Sequence, residues 1–478
     1  MYKRIFQLVF LISFNISAQS TFVKVIDSIS NDPVPFANIY FSNNKGLITD
    51  SNGRFELIKS EFKNHDSLSI SLLGYKTKTY LLKEFKDSII YLRPGPIQLD
   101  NIVLNNDKLN ADEIIQMVIN NFEINYEADI TKNKIFLSRE SIGSIGKFNI
   151  DKFKSSIQEI SKPLLDSIID NLPKEYVNKL ETLSYYFGND EEGNQKINLI
   201  KARQTATTEN ELLESLNQKI IEAVNKNVKK DSYFKIRSGI FGENFDIEGL
   251  EKVDSANVES IKKFELKEMK KKKNFVSSQR NRIKNLYDDL PTNSYRLDFL
   301  LKPKKYIFNE PKVEYLGDQL VYIITCYPKG SSKFSATLYI NSEDFAIVRL
   351  DFENIKPIKK WKLLGISLNQ YLSKGQILLS KFDNDKYNMS YFQLTFGQRV
   401  GIKRRIKLIE KNKNVKGRRK QNEISFKLDL DIDFVNKTEL KVFESNKIEL
   451  INFEKIKENK NVLPEYIEEF TNNFWKEF

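Results

Sequence analysis

The sequence predicts a mainly β protein with a helical middle, in the α+β class. Its predicted parts are an N-terminal seven-stranded β-sandwich, a helical insert and a C-terminal antiparallel sheet. Three observations support this. Strand-length segments separated by turn residues fill residues 19–105. Apolar residues then recur at helical spacing through residues 106–291. Residues 292–478 return to strand patterns and end in a helix-like stripe.

The first 18 residues have the order of an export signal. A positive start, an apolar core and a small-residue cut site follow one another at Lys3, Arg4, residues 5–14, Ser17 and Ala18. The apolar run is shorter than the roughly 20 residues that span a bilayer. We therefore expect removal of residues 1–18 and an exported mature chain that begins at Gln19.

Composition narrows the classes of partner. The 478-residue chain carries a net charge of +12, which falls to +10 when Lys3 and Arg4 leave with the signal. Export makes nucleic acid an improbable partner for this charge, so we expect no nucleic acid and favour anionic lipid or phosphorylated glycolipid. The single cysteine, Cys326, excludes an internal disulfide, and its apolar surroundings predict a small buried side chain.

The first mature domain consists of short strands and tight turns. Strands are predicted at residues 21–27, 36–41, 54–57, 68–73, 76–82 and 88–92, at the spacing of an antiparallel sandwich. Asp50-Ser51-Asn52-Gly53 predicts a turn in which Gly53 takes a positive φ, after which Phe55 enters the core. The same four residues resemble part of a calcium loop, but the other acids of such a loop are missing, which favours the turn.

Several motifs in this region resemble one family. They are Val23-Lys24-Val25-Ile26-Asp27, Pro33-Val34-Pro35-Phe36-Ala37-Asn38-Ile39, Gly46-Leu47-Ile48-Thr49-Asp50-Ser51-Asn52-Gly53-Arg54-Phe55, Gly74-Tyr75 and Leu99-Asp100-Asn101-Ile102-Val103-Leu104. Together they resemble the carboxypeptidase regulatory-like domain, over about residues 20–105. The resemblance implies a transthyretin-like β-sandwich of the kind found in Gram-negative envelope proteins. Thr21-Phe22 stands where the family commonly has a glycine.

The same resemblance does not imply peptidase activity. Zinc peptidases of that type need two histidines and a carboxylate, and this chain has one histidine, His65. A Ser–His mechanism would require His65 as its base, and its polar setting predicts an exposed loop residue instead. We expect no catalytic residue, no metal and no cofactor. The 64 acidic residues single out no pair for a carboxylate-only hydrolase.

Four helical segments are predicted in the middle region. The first begins after Asn110, a good N-cap with acids in the following turn. The others cover residues 151–187, divided by Pro163 and Pro173, then 209–229 and the basic segment 255–290. A strand is predicted between them at residues 135–140.

The C-terminal region is predicted as strands with one final helix. The strands are residues 295–301, 319–327, 334–341, 345–352, 376–382, 387–396, 401–410 and 423–434. The hairpin at residues 336–348 is similar to strands of the lipoprotein-carrier half-barrel of envelope proteins. Ile467, Phe470, Phe474 and Phe478 recur at helical spacing, which predicts a C-terminal helix.

One segment has a concentrated positive charge. Residues 401–420 contain ten Lys or Arg and one Glu. The candidate residues for binding an anionic surface are Lys403, Arg404, Arg405, Lys416, Arg418, Arg419 and Lys420. On two strands and their loop they would grip lipid or glycolipid phosphates. The alternative is a solvated edge hairpin that lysines protect from aggregation.

Three classes of function remain open. The first is a non-catalytic exported envelope protein that binds or organises a partner through its β-domains, in the periplasm or at the periplasmic face of the outer membrane. Its expected partner is an envelope protein or an anionic lipid or glycolipid surface. The second is an outer-membrane or transport-associated protein with a β-barrel-like C-terminal part. The third is a carboxylate-only hydrolase.

Overall fold

The fold is mostly β, with a large C-terminal sheet. The computed structural model describes residues 20–34, 37–41, 46–49, 52–58, 66–72, 75–94, 109–189, 191, 193–205, 211–229, 232–239, 241–245, 258–288, 297–316, 319–382, 385–412, 414–416, 419–459, 461–468 and 470. The predicted signal, Asp50, His65, Arg418, Phe474 and Phe478 lie outside the described residues.

The N-terminal domain has seven strands among its described residues. They are β1 (Ser20–Asp27), β2 (Asn38–Phe41), β3 (Gly46–Ile48), β4 (Arg54–Ile58), β5 (Ser67–Ser71), β6 (Lys78–Leu81) and β7 (Ile89–Leu92). One sheet has the order β4-β1-β7 and the other β3-β2-β5-β6. β1 and β7 pair in parallel, so the expectation of a purely antiparallel sandwich is wrong at this pair.

The core of this domain consists of side chains that alternate along the strands. Val23, Val25, Phe55, Leu68 and Ile70 are all buried in one cluster, which confirms the inward position predicted for Phe55. Gly53 has a φ of +71°, as predicted. A Cβ there would lie 2.5 Å from the carbonyl oxygen of Val25, so the turn requires glycine.

The second unit is built on one sheet of fifteen strands. They are β8 (Thr131–Ser155), β9 (Glu175–Gly188), β10 (Gln195–Thr205), β11 (Ser232–Ser238), β12 (Phe241–Phe245), β13 (Tyr306–Phe308), β14 (Lys312–Leu316), β15 (Gln319–Pro328), β16 (Phe334–Asn341), β17 (Ile347–Asn354), β18 (Lys359–Leu363), β19 (Ile366–Lys381), β20 (Tyr387–Asn412), β21 (Lys420–Lys447) and β22 (Glu465–Ile467). The main path is β13-β15-β16-β17-β19-β20-β21-β8-β9-β10-β22. Three side pairings complete it, since β14 pairs with β15, β18 with β19, and β11 with both β12 and β20.

Six helices among the described residues accompany this sheet. They are α1 (Ala111–Asn120), α2 (Phe122–Asn125), α3 (Lys162–Asn171), α4 (Glu211–Asn227), α5 (Val258–Tyr287) and α6 (Leu450–Lys455). Asn110 caps α1 as predicted, because its side chain accepts from the Glu113 backbone while the Glu113 carboxylate accepts from the Asn110 backbone. Among the described helices, none is both long enough and apolar enough to span a bilayer.

The prediction of a helical middle is confirmed only in part. Helices α1, α4 and α5 match their predicted segments. The helix predicted at residues 151–187 is wrong, because this segment contains the end of β8, the short α3 and most of β9. Pro163 lies in the first turn of α3 and starts that helix, whereas a division was expected. Strands from both sides of the predicted boundary at residue 291 share one sheet.

Some of the C-terminal strands are longer than predicted, and their bounds differ. Residues 387–396 and 401–410, predicted as two strands, are one strand of 26 residues, β20. The strand predicted at residues 295–301 is wrong, since residues 298–301 form turns. Ile467 lies in β22, which pairs with β10 in parallel, so the predicted helical stripe does not begin there.

The main core lies on one face of this sheet, called here the inner face. Leu350, Ile377, Phe392, Leu440 and Leu137 face one another across five strands, and each is at most 3% exposed. Apolar residues of α1 and α5 complete the same cluster, among them Ile114, Val118, Val276 and Ile283. The opposite face is called the outer face.

Candidate functional site

Beyond this core the same strands continue as an extension, called here the distal sheet. It consists of β18, residues 366–370 of β19, 398–408 of β20, 424–434 of β21 and 143–150 of β8. β20 and β21 pair without a register shift from Tyr391 to Ile409, so the alternation of inner and outer residues carries over from the core.

The inner face of the distal sheet is largely apolar, and ten of its side chains form two complete rows. Two rows cross its five strands: Leu363, Ile366, Ile402, Leu430 and Phe148, then Trp361, Leu368, Val400, Ile432 and Ile145. We call these ten residues the apolar strip. Neighbouring strands lie about 4.8 Å apart, so the strip is roughly 19 Å wide from β18 to β8.

The apolar strip is less covered than the core that it continues. Leu363 is 64% exposed and Trp361 39%, and the other eight side chains are half-buried. No core cluster formed by described residues includes any of the ten. Helix α4 packs on the far end of the sheet through Ala223 and Val224, beside Ile424. The strip therefore lies between the part of the sheet covered by α4 and the main core.

The outer face of the distal sheet is charged. Arg399 donates two hydrogen bonds to Asp431, at 2.8 and 2.6 Å. Lys147 and Lys403 both reach Asp429, at 2.7 and 3.4 Å. The hydrogen bond from Lys147 is the main cause that lowers the pKa of Asp429. Alternating Asp residues on β21 thus neutralise basic residues on its two neighbours.

The first predicted basic group, residues 403–405, is divided between the two faces. Lys403 lies on the outer face and pairs with Asp429, and Arg405 lies exposed on the same face opposite Lys427. Arg404 lies on the inner side, where its Nη2 donates to the carbonyl oxygen of Ser238 at 2.7 Å. Asp429 on the neighbouring strand therefore neutralises part of the positive charge of residues 403–405. A count of charges along residues 401–420 alone does not include this acid.

The second predicted basic group lies at the loop between β20 and β21. Lys416 and Arg419 are exposed, and Lys420 forms an ion pair with Glu423. Arg418 lies outside the described residues. Arg405 and Asn412, where β20 ends, are seven positions apart on this strand. This corresponds to a distance of about 23 Å. The structure therefore places the two groups apart, and binding of an anionic surface by either group stays a prediction.

A hairpin beside residues 403–405 was not predicted from the sequence. It joins β18 to β19 through Leu364 and Gly365, whose φ values are +48° and +78°. The Lys403 backbone N–H donates to the carbonyl oxygen of Gly365 at 2.6 Å. The available signal was the segment Lys359-Lys360-Trp361-Lys362-Leu363-Leu364-Gly365, where apolar and basic residues lead into a glycine turn.

Two ionisable groups lie on the outer face of the core part of β21. Burial lowers the pKa of Lys441 to about 8, and its side chain is almost fully covered. Loss of water raises the pKa of the half-buried Glu439 to about 7, despite a hydrogen bond from Gln393. Both groups are therefore held in surroundings that oppose their charged forms.

Glu439 has a second carboxylate in its row. Register places Ser138 and then Glu181 beside it, so about 9.6 Å separates the two backbones. Glu181 is buried, and its oxygens bond to Arg203 at 2.6 Å and Lys179 at 2.8 Å. The carboxylate-only hypothesis would apply to this pair, but both oxygens of Glu181 are already occupied by cations.

No other described cluster suggests bond-making chemistry. Among the described residues, no group of three His, Cys, Asp or Glu side chains could hold a metal ion. Cys326 is fully buried, as predicted, and burial raises the pKa of its thiol to about 12. A shallow pocket of about 450 Å³ lies at the start of α1, where Asn110 and Glu113 already bond to each other.

The chain has distant likenesses to known structures, among them the following two. An outer membrane lipoprotein-sorting protein domain from Vibrio parahaemolyticus aligns over 72% of this chain and 98% of its own, with 10% identity and a TM-score of 0.22. A LolA superfamily protein from Nitrosomonas europaea aligns over 72% and 95%, with 8% identity and a TM-score of 0.18. Scores of this size do not establish a shared fold. Among curated proteins, no match to this chain is found.

The N-terminal domain is matched directly by a family model. Residues 24–104 match the CarboxypepD_reg-like domain, which is a regulatory and non-catalytic kind of domain. The matched segment includes β1 to β7 almost completely, together with the Gly53 turn. The chain therefore carries a CarboxypepD_reg-like domain at residues 24–104, as the motifs of this region predict.

Proposed function

We propose that this protein is a non-catalytic, exported cell-envelope protein that binds a lipid chain on the apolar strip. The observation that supports the proposal is the strip itself. Ten apolar side chains continue the core face of the sheet, yet they remain exposed or half-buried. A free apolar face of this kind is costly in water and typical of a binding surface.

The dimensions of the strip suit one acyl chain. The strip is roughly 19 Å wide. One leaflet of a bilayer's hydrocarbon core, which an extended acyl chain crosses, is about 15 Å thick, so a chain of that length fits across the strip. The charged outer face keeps the other side of the same strands in water. The N-terminal regulatory-like domain would organise an envelope partner, as a second binding module on the same chain.

Binding of a fluorescent long-chain fatty acid to the purified mature chain tests this proposal. In the variant Val400→Thr/Ile402→Thr, both changes keep a β-branched side chain but make the strip more polar. We expect the affinity for the fatty acid to fall at least tenfold, since each substitution removes about 1 kcal/mol of apolar contact.

The matched control is Lys403→Thr/Arg405→Thr, which alters the outer face of the same strand. It should bind the probe like the unaltered protein. Equal affinity of the strip variant and this control, with both folded by circular dichroism, would contradict the proposal.

The two alternatives are less well supported. The hydrolase alternative needs an available carboxylate pair, and both oxygens of Glu181 are bound to Lys179 and Arg203. Carbonate extraction of cell envelopes distinguishes the proposed function from integration of the protein into the outer membrane. Release of the protein into the extract favours the proposal, and retention with the membrane favours integration.

A further inference from the structure

We propose that the tip of the β18–β19 hairpin docks the protein on an anionic phospholipid surface. This inference does not depend on an acyl ligand on the apolar strip. It starts from the exposure of the tip. Leu363 is 64% exposed and Leu364 56%, with Trp361 next to them at 39%. Two leucines and a tryptophan exposed at the end of a hairpin are suited to the interface of a bilayer.

The residue at the turn is a poor choice for stability. Two-residue hairpin loops with positive φ at both positions favour Asn-Gly, because Cβ then crowds the following carbonyl oxygen, glycine has no Cβ, and the polar side chain of asparagine compensates by local hydrogen bonding. This turn has Leu364 at φ +48° followed by Gly365 at φ +78°. An exposed leucine in a strained position gains nothing within the described fold, so we infer that it contacts something outside the chain.

The charge around the tip determines the kind of surface. Residues 356–366, which form β18 and the turn with its flanks, contain four lysines and neither Asp nor Glu. Lys359, Lys360 and Lys362 lie on β18 itself, and no described ion pair includes them. Arg405 lies exposed on the neighbouring β20. Lysines beside apolar side chains complement a leaflet that offers phosphates above its acyl chains.

The hairpin is held firmly enough to present the tip. The Lys403 N–H bonds to Gly365, and a Cβ on that glycine would lie 2.3 Å from the Lys403 carbonyl oxygen. Arg404, one residue further, bonds to the β11–β12 turn at Ser238. The backbone of the first basic group thus positions the tip, which gives residues 403–405 a role that charge counting did not predict.

Co-sedimentation of the full mature chain with vesicles tests the docking. The vesicles are phosphatidylglycerol with phosphatidylethanolamine, compared with pure phosphatidylcholine. We expect binding to the anionic vesicles only. The variant Lys359→Gln/Lys360→Gln/Lys362→Gln should lose about 100-fold in affinity, since each lysine contributes about fivefold near such a surface.

The matched control removes the same charge from helix α5, as Lys270→Gln/Lys272→Gln/Lys273→Gln. It should bind nearly as the unaltered chain does. Equal losses in both triple variants would mean that net charge alone acts, and would overturn the proposal. Equal binding to phosphatidylcholine would also overturn it.

The variant Leu364→Asn separates docking from stability. Asparagine tolerates positive φ, so its melting temperature should rise, while its affinity for anionic vesicles should fall about tenfold. Unchanged vesicle affinity would show that the tip does not insert.

Tryptophan fluorescence tests insertion, and Val400→Thr/Ile402→Thr in the same assay distinguishes it from a lipid chain bound on the strip beside Trp361. The chain has two tryptophans, Trp361 and Trp475, so Trp475→Phe leaves the hairpin residue as the only emitter. Brominated lipid in the anionic vesicles should quench it, and absence of quenching would contradict insertion of the tip. Fatty-acid binding measured without vesicles is independent of all these outcomes, so failure of docking and failure of the proposed function are distinguishable.

Discussion

The core part and the distal part of the large sheet use the same strands in two different ways. In the core part, Phe392 and Leu440 are fully buried beneath helices. Eight to ten residues further along β20 and β21, Val400, Ile402 and Leu430 lie on the same face, half-buried. Strand alternation alone therefore does not create a core. The elements that cover a face decide whether its apolar residues stabilise the fold or remain for a ligand.

The largest expected effect is a core truncation. Phe392→Ala should destabilise the protein by about 3–5 kcal/mol, because it leaves a cavity in a closely packed cluster. Ile402→Ala, on the distal sheet, should cost clearly less. Denaturant unfolding of both variants measures the difference, and equal losses would show that the strip is packed as tightly as the core.

Next in size is the buried amine of Lys441. Its folded pKa of about 8 lies below its ordinary 10.5, so the fold favours the neutral form. The associated stability is present above pH 10.5 and is lost as the pH falls through 8. Lys441→Met should therefore stabilise the protein by about 3 kcal/mol at pH 7, with little change at pH 11. A destabilised Met variant at pH 7 would refute the assignment.

Glu439 should give a smaller effect of the opposite pH direction. Its folded pKa of about 7 lies above its ordinary 4.5, so the fold favours the protonated form. That stability is present below pH 4.5 and is lost as the pH rises through 7. In the unaltered chain the free energy of unfolding should fall between pH 5 and pH 8. In Glu439→Gln this fall should be about 2 kcal/mol smaller, with solvent screening included. An unchanged pH dependence would contradict the shift.

The smallest expected effect is on the outer face of the distal sheet. Arg399 and Asp431 form an exposed pair despite their two hydrogen bonds. Arg399→Gln should change the free energy of unfolding by about 0.5 kcal/mol, and less at high salt. A loss above about 2 kcal/mol in thermal denaturation would show that the charged face stabilises this region as the core does elsewhere.

Local signals made the ends of some elements predictable. The Asn110 cap and the Gly53 turn depend on residues within a few positions, and both are present as predicted. The length of β8 was not predictable in this way, because residues 141–150 include two glycines and three serines or asparagines. Its pairing with β21 supplies the strand partner, and that partner lies about 300 residues away.

The candidate site depended on register, which periodicity does not specify. Ile432 lies in a predicted strand and Val400 in the gap between two predicted strands, and the alignment of these residues with Leu368 and Ile145 was not predicted. The same limit applies to charge. Residues 403–405 were counted along one segment, whereas Asp429 on the neighbouring strand forms an ion pair with Lys403. The pairing of strands therefore determines both which residues form the apolar strip and how much of the positive charge beside it is neutralised.

The pairing of Leu137 with Leu440 has a consequence for how the protein matures. This central seam joins the beginning and the end of the second unit, so nearly the whole chain must be available before it closes. Contacts so distant in sequence form slowly. Until they form, the unpaired apolar strands are prone to aggregation. Folding of the large sheet therefore follows synthesis of nearly the whole chain, and β20 and β21 need protection from aggregation until β8 pairs with β21.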